Sequence, residues 1–191
     1  MGNTSNCLDS IRTDIAADDD VLTEARERLA IVRSIAFRFH GALCTFGSGS
    51  LEHHTFNHPV GDGDGGLVLN RAYYPSLGPD GNDAIPNDVA EDLRAFMAPE
   101  LRETHPNAWV TTSKRGPKAY FGAPMVRKGI AQDPTVDLVV AMMRRDDPGL
   151  WIPNLDKQRW EASDPEKHCE LFNGGTTSLR ALRRMGDALW A

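Results

Sequence analysis

Two aspartates one residue apart are the residues of this chain best suited to chemistry. Asp62 and Asp64 stand in the sequence Asp-Gly-Asp-Gly, just before the apolar run 67–69. Side chains two residues apart on a strand point to the same face of the sheet, so the two carboxylates are expected to lie side by side. They repel each other unless a cation lies between them, and carboxylate oxygens suit a hard ion such as Mg²⁺. The pair therefore predicts a divalent-metal site.

A glycine-rich turn precedes the acid pair and follows the apolar segment 42–46. Gly47 and Gly49 allow the backbone to approach a ligand closely, and the polar segment 51–58 predicts a short helix. N–H groups at the start of a helix face a bound anion. A strand, a phosphate-sized turn, a short helix and a strand opening with paired acids together indicate a site for a nucleoside triphosphate with magnesium.

The spacing of these residues resembles a known signature. Gly49-Ser50, then Thr55 and then Asp62-Gly63-Asp64 are similar to the nucleotidyltransferase motif of the DNA polymerase beta superfamily. The nearest branch holds the CCA-adding enzymes, the oligoadenylate synthetases and the bacterial cyclic-oligonucleotide synthases. The resemblance runs from about residue 22 to the end of the chain.

A later strand supplies a third acid in that family, and Asp137, within the β-branched run 136–141, fits it. A charge inside such a run is costly to bury without a partner, and a shared metal would be one. Pairing with Arg144 or Arg145 is the structural alternative. Downstream, the segments 151–154 (WIPN) and 160–165 (WEASDP) resemble a region common in the bacterial synthases.

The resemblance implies a role for each site residue. Two Mg²⁺ ions, for which Mn²⁺ could substitute, would be held by Asp62 and Asp64, and Asp137 would complete the site of the ion that activates the attacking hydroxyl. The donor nucleotide would be bound by four residues of the turn and helix: Gly49, Ser50, His53 and Thr55.

The resemblance also implies the architecture, an α/β (α+β) nucleotidyltransferase fold with a short mixed sheet flanked by helices. Apolar residues recur at helical spacing over 22–39 and again from 87, where Pro99 predicts an interruption. We expect an N-terminal helical segment at 1–21, a catalytic domain at 22–175 and, at 176–191, the start of a helix leading into a second helical domain absent from the chain. The apolar stripe of 178–190 would pack on that domain or on a partner.

Composition limits the classes of function. The 191 residues are 40% hydrophobic with a net charge of −6, which favours one globular domain and disfavours general polyanion binding. Cys7, Cys44 and Cys169 are too few and too far apart for a disulfide framework. No apolar run reaches the length of a membrane span, and the acidic start is unlike a signal peptide. We therefore expect a cytoplasmic protein with no membrane contact.

Competing motifs are weaker. His54 and His58 would share a metal if both lay on one helix, but no recognised zinc spacing is completed. The acid pair lacks the later ligands of a calcium loop, and no Gly-Lys-Ser/Thr of a phosphate-binding loop follows the glycines.

The sequence leaves two features of the site open. The glycines at 63, 65 and 66 could loosen the acid pair, and a set of basic residues is either solvated or forms a wall for triphosphate or acceptor: Lys114, Arg115, Lys118, Arg127 and Lys128.

The function expected from these residues is transfer of a nucleotidyl group from a nucleoside triphosphate to a hydroxyl of a second nucleotide or an RNA. The region after Asp137 favours a cyclic or linear oligonucleotide synthase of antiviral signalling. The alternatives are a transferase acting on transfer RNA or on a protein, as CCA-adding and toxin-type relatives do, and an inactive module that binds nucleotide.

Overall fold

A computed structural model describes residues 6, 9–11, 13, 15–79, 81, 86–145, 147–165, 167 and 171. The predicted domain-linking helix at 176–191, with its apolar stripe, lies outside these residues, as does part of the segment 1–21. Among the described residues, no helix has the length and apolar character needed to cross a membrane. Cys44 is a free, exposed thiol.

In the described part of the chain, the sheet is flanked by two long helices and one short helix with the following bounds. Helix α1 spans Asp19–Phe37, α2 spans Gly49–His53 and α3 spans Pro86–Thr104. The acidic run 18–20 begins α1, because acidic side chains in a first turn favour the helix dipole. Pro99 does not interrupt α3. The buried apolar side chains Leu93, Met97 and Leu101 on either side of it offset the one backbone hydrogen bond that a proline removes.

A mixed sheet forms the centre of the molecule. Its strands lie in the order β1-β2-β7-β4-β3, with β2 and β7 parallel and the other neighbours antiparallel. A hairpin of β8 and β9 pairs with the C-terminal end of β7 through β8, and β5 pairs separately with β6. The strand bounds are β1 Ala42–Ser48, β2 Asp62–Leu69, β3 Trp109–Ser113, β4 Gly116–Tyr120, β5 Met125–Arg127, β6 Ile130–Gln132, β7 Thr135–Met143, β8 Leu150–Asn154 and β9 Arg159–Ser163.

The two faces of the sheet differ in burial. On β7, Val136, Leu138 and Val140 are buried in the core, whereas Asp137 and Val139 between them are only half-buried. Helices α1 and α3 contact the strands on the buried side. Side chains at alternate positions of a strand point to opposite faces, so the acids lie on the face away from the core. The predicted fold, a mixed sheet flanked by helices, is confirmed.

A buried arginine ties α1 to the chain that leads into β7. The Arg28 side chain is 2% exposed and makes ion pairs with Glu24 and Asp133, at 2.7 and 2.5 Å. Its guanidinium also donates to the carbonyl oxygens of Pro134 and Ala123, and it lies over the Phe121 ring. A buried charge of this kind is tolerated because each of the three guanidinium nitrogens donates to an acceptor.

We expect Arg28→Met to lower the free energy of unfolding by about 2–4 kcal/mol, because it leaves two carboxylates and two carbonyls without their donor. Urea unfolding measures this. Arg38→Met is the matched control: Arg38 follows the same helix, is 57% exposed and pairs with Glu100, so its loss should cost less than about 1 kcal/mol. An equal decrease in the free energy of unfolding in the two variants would show that the buried Arg28 network contributes no more than an exposed ion pair.

Candidate active site

Three carboxylates meet on the open face of the sheet. The parallel register of β2 and β7 sets Asp64 beside Asp137, and Asp62 lies two residues before Asp64 on the same face. One oxygen of each carboxylate lies within 4.8 Å of the others, and all three residues are half-buried. Within the described part of the chain, this is the one group of three side chains that could hold a metal ion.

The glycines around the acids are closely packed. A Cβ at Gly63 would lie 3.1 Å from a methyl carbon of Leu51, and a Cβ at Gly65 would lie 3.1 Å from one of Leu29. On the other face, a Cβ at Gly66 would lie 2.1 Å from the Phe46 ring. These glycines therefore let α1, α2 and Phe46 approach β2. The alternative that they loosen the acid pair is not supported by this packing.

The glycine-rich turn lies directly against the acids. Ser48 pairs with Asp64 across β1 and β2, and Gly49 follows with a φ of +68°. A Cβ at Gly49 would lie 1.9 Å from Asp64 Oδ2, so a side chain is excluded by both backbone conformation and space. Ser50 follows in α2, and its carbonyl accepts a 3.0 Å hydrogen bond from the N–H of the buried Thr55. The turn and the carboxylates thus form one structural unit.

A cavity of about 170 Å³ opens beside this turn. Its wall includes the predicted nucleotide-binding residues Gly49 and His53, together with Ser48 and Phe46. The opposite wall comes from β7 and the β8–β9 hairpin, through Val139, Ile152 and Ser163. Ser50 and Thr55 are not among the lining residues, so their predicted contact with nucleotide stays a prediction.

The histidine motif does not form the helical pair that its spacing allowed. Helix α2 ends at His53, and His54 takes the left-handed conformation with a φ of 54°. His58 Nδ1 lies 3.2 Å from both Asp18 Oδ2 and Gln132 Nε2. His54 and His58 are therefore not one turn apart on a helix.

A lysine rather than an arginine is the partner of Asp137. Lys118 stands opposite Asp137 in the β4–β7 register, and its Nζ donates a 2.5 Å hydrogen bond to Asp137 Oδ2. Burial opposes the charged form of Lys118, but the hydrogen bond and the attraction of Asp137 outweigh it and raise the pKa of the lysine. The alternative that an arginine such as Arg144 pairs with Asp137 is wrong. Arg144 pairs with Asp147 instead.

The predicted basic set is dispersed. Arg115 pairs with Glu161, Arg127 with Asp20, and Lys128 donates to the carbonyls of Thr13 and Ala16. Unlike these three residues, Lys118 contacts the acid cluster, through Asp137. Sequence reasoning grouped Lys118 with its basic neighbours and did not assign it to the acid cluster, since the register of β4 against β7 is not visible in a sequence.

The electrostatics of the cluster follow from its crowding. Burial and the negative charges of Asp62 and Asp137 raise the pKa of Asp64 from 3.8 to about 6, while Lys118 opposes this shift. The site therefore holds more negative charge than its protein surroundings neutralise. Oxygen donors in such an arrangement fit Mg²⁺ or Mn²⁺.

Comparison with known proteins identifies the fold. No protein-family model matches the chain, and no curated protein matches it by sequence. Solved structures do. The chain is 17% identical to CdnG, a CD-NTase of Bradyrhizobium diazoefficiens solved with GTP, with a TM-score of 0.59 over 84% of this chain and 44% of that one.

Two further solved structures are similar to the chain. The CdnE cyclic dinucleotide synthase of Elizabethkingia meningoseptica, solved with GTP and Apcpp, is 16% identical, with a TM-score of 0.53 over 90% of this chain and 59% of that one. CdnC of E. coli MS115-1, in its complex with HORMA-deltaN, is 12% identical, with a TM-score of 0.56 over 91% and 50%. The chain thus spans about half the length of these proteins. It has the nucleotidyltransferase fold of the bacterial CD-NTases, which confirms the resemblance at the level of fold.

The raised pKa of Asp64 predicts that the metal-free site destabilises the fold at neutral pH. A group whose pKa is higher in the folded state stabilises that state fully at low pH, and this contribution is lost as the pH rises through about 6. We expect Asp64→Asn to raise the free energy of unfolding in EDTA by about 2–3 kcal/mol at pH 8 and to change it little near pH 4.

Urea unfolding at the two pH values tests this, with Asp92→Asn, exposed on α3, as the control that should stay within about 0.5 kcal/mol. Magnesium should stabilise the wild type more than Asp64→Asn. A loss of stability in Asp64→Asn at pH 8 would contradict the repulsion.

The contact between Gly49 and Asp64 predicts a loss of metal affinity in Gly49→Ala. The new methyl group would displace the Asp64 carboxylate, and mutating a group that positions a metal ligand typically lowers metal affinity by about 10- to 100-fold. Gly129→Ala is the matched control, since Gly129 has a φ of +76° with nothing within 4 Å of its Cβ position. Gly129→Ala therefore introduces the backbone strain of about 1–2 kcal/mol but no steric clash. Mn²⁺ binding by electron paramagnetic resonance should separate the two, and equal affinities would refute the contact argument.

Proposed function

We propose that the protein is a metal-dependent nucleotidyltransferase that transfers a nucleotidyl group from a nucleoside triphosphate to a hydroxyl acceptor, as a cyclic or linear oligonucleotide synthase. The observation that carries the proposal is the convergence of Asp62, Asp64 and Asp137 within 4.8 Å beside the Gly49 turn. The fold supports it, because the similar structures are CD-NTases solved with nucleotides.

The donor set fits divalent ions. Asp62 and Asp64 would hold two Mg²⁺ or Mn²⁺ ions, and Asp137 would complete the site of one of them. Ions held there would lower the pKa of an attacking hydroxyl and neutralise charge on a departing pyrophosphate.

The chain's own residues position the reactants. The turn at Gly49 and Ser50 places backbone beside Asp64 without side-chain bulk, so the outer phosphates of the donor can approach the carboxylates closely. His53, on the wall of the adjoining cavity, would contact the donor. Lys118 fixes the Asp137 carboxylate from the opposite side, at 2.5 Å. The acceptor hydroxyl would come to Asp137, which stands between that lysine and the acid pair.

The wider setting is proposed on the same basis. The similar structure that is a cyclic dinucleotide synthase supports a cyclic nucleotide product, and we extend the proposal to a second messenger of antiviral signalling. The nucleotide substrates and the free Cys44 thiol favour the cytoplasm.

Incubation of the chain with each labelled ribonucleoside triphosphate and Mg²⁺ or Mn²⁺ tests the proposal. We expect new phosphodiester products that fall to background in the Asp62→Asn plus Asp64→Asn variant, because that variant loses two of three ligands. The matched control, Asp92→Asn plus Asp156→Asn, removes the same charge from two exposed positions and should keep full activity. Addition to transfer RNA or to a protein would favour the other transferases. Metal-dependent nucleotide binding with no turnover would favour a binding module.

A further inference from the structure

Two aromatic rings stack on the open face of the sheet. Trp109 on β3 and Tyr120 on β4 are cross-strand partners, with ring centroids 4.8 Å apart and planes 3° from parallel. Trp109 remains 46% exposed. A cross-strand aromatic pair stabilises a sheet by itself, but an exposed indole in a parallel stack also offers a flat apolar surface to a ligand.

The stack lies on the same face as the acid cluster. On β4, Tyr120 is two residues from Lys118, so both side chains point to the face that carries Asp137. The Lys118 Nζ lies 6.0 Å from the centre of the Tyr120 ring and 2.5 Å from Asp137 Oδ2. Strand β3 is two strand spacings, about 10 Å, from β7. The aromatic surface is therefore a short distance along one face from the carboxylates.

The stack and the Gly49 turn flank the acids on opposite sides. Strand β1, which ends at the turn, pairs with β2 on the edge away from β7, whereas β4 and β3 continue the sheet beyond β7. If the donor phosphates lie at the turn, the space over β4 and β3 is left for the second reactant. Single-stranded nucleotides are bound in proteins by stacking their bases on aromatic side chains.

A second aromatic pair, formed by the exposed Tyr73 and the half-buried Tyr74, does not offer such a surface. Tyr73 and Tyr74 are edge-to-face, and both rings pack against Gly41. Tyr74 also donates a 2.9 Å hydrogen bond to the His40 carbonyl. They follow the Leu69 end of β2, about 20 Å along the strand from Asp62. Tyr73, 59% exposed, is thus a control for aromatic exposure alone.

We propose that Trp109 and Tyr120 stack on the base of the nucleotide whose hydroxyl accepts the transferred group. The inference rests on the proposed function for the identity of the reaction, but the base-binding surface itself can be measured without turnover. The acceptor is either a free mononucleotide or the end of an RNA strand, and both present the same base to the rings.

The test is binding of the four ribonucleoside 5′-monophosphates and of a single-stranded RNA tetranucleotide to the 191-residue chain in EDTA, followed by calorimetry and by ring-proton NMR. We expect Trp109→Leu to weaken binding by about 5- to 150-fold, the range for loss of one stacked base. Trp109→Phe should keep most of the affinity, and Tyr73→Leu all of it. Unfolding in urea establishes that each variant is folded.

The outcomes separate this inference from the proposed function. Binding of monophosphates indicates a mononucleotide acceptor, and binding of the tetranucleotide alone indicates an RNA end. No binding of either probe to the wild type, or equal binding by folded Trp109→Leu, overturns the base surface even if phosphodiester products form. Conversely, Asp62→Asn plus Asp64→Asn should keep base binding in EDTA. Absence of products from the wild type would refute the transferase while leaving a Trp109-dependent base site standing.

Discussion

Mutual repulsion among Asp62, Asp64 and Asp137 is the constraint on which the rest of the structure depends. Two unit charges 4 Å apart repel by about 4 kcal/mol at the effective dielectric of a protein surface, and here three carboxylates offer oxygens within 4.8 Å of one another. A flexible chain would separate them. The parallel register of β2 and β7 prevents this, because it fixes Asp64 beside Asp137 through backbone hydrogen bonds along both strands. The single ammonium of Lys118 offsets only part of the charge.

Helix α1 supports both acid-bearing strands at once. Its Leu29 packs where Gly63 and Gly65 leave no side chain, which brings the helix close to β2. Its Arg28 binds Asp133 and the Pro134 carbonyl, directly before β7 begins at Thr135. The same helix therefore sets the position of the acid pair and of the third acid. Because these contacts lie on the buried face, the carboxylates on the open face are not covered by the helix.

Local patterns in the sequence predicted what local physics determines. The alternation around Asp62 and Asp64 and the β-branched run around Asp137 were enough to predict a strand and a face for each acid, and the resemblance supplied the expectation that they meet. Lys118 could not be assigned, because its proximity to Asp137 depends on an antiparallel register between strands far apart in sequence. The short helix predicted over 51–58 ends earlier than its polar pattern indicated, since His54 takes the left-handed conformation. The parts assigned to Ser50 and Thr55 in binding nucleotide stay predictions.

The parallel pairing of β2 with β7 also has a consequence for how the chain folds. Parallel neighbours cannot be joined by a tight turn, and here α3 and the strands β3 to β6 all lie between them in sequence. The β1–β2 and β3–β4 hairpins can form from nearby residues, whereas the β2–β7 ladder requires closure of a long loop, which slows folding. The like charges of Asp64 and Asp137 are therefore brought together only when the central ladder closes. Until then the two halves of the metal site remain apart, so a partly folded chain has no complete carboxylate cluster with which to bind an ion.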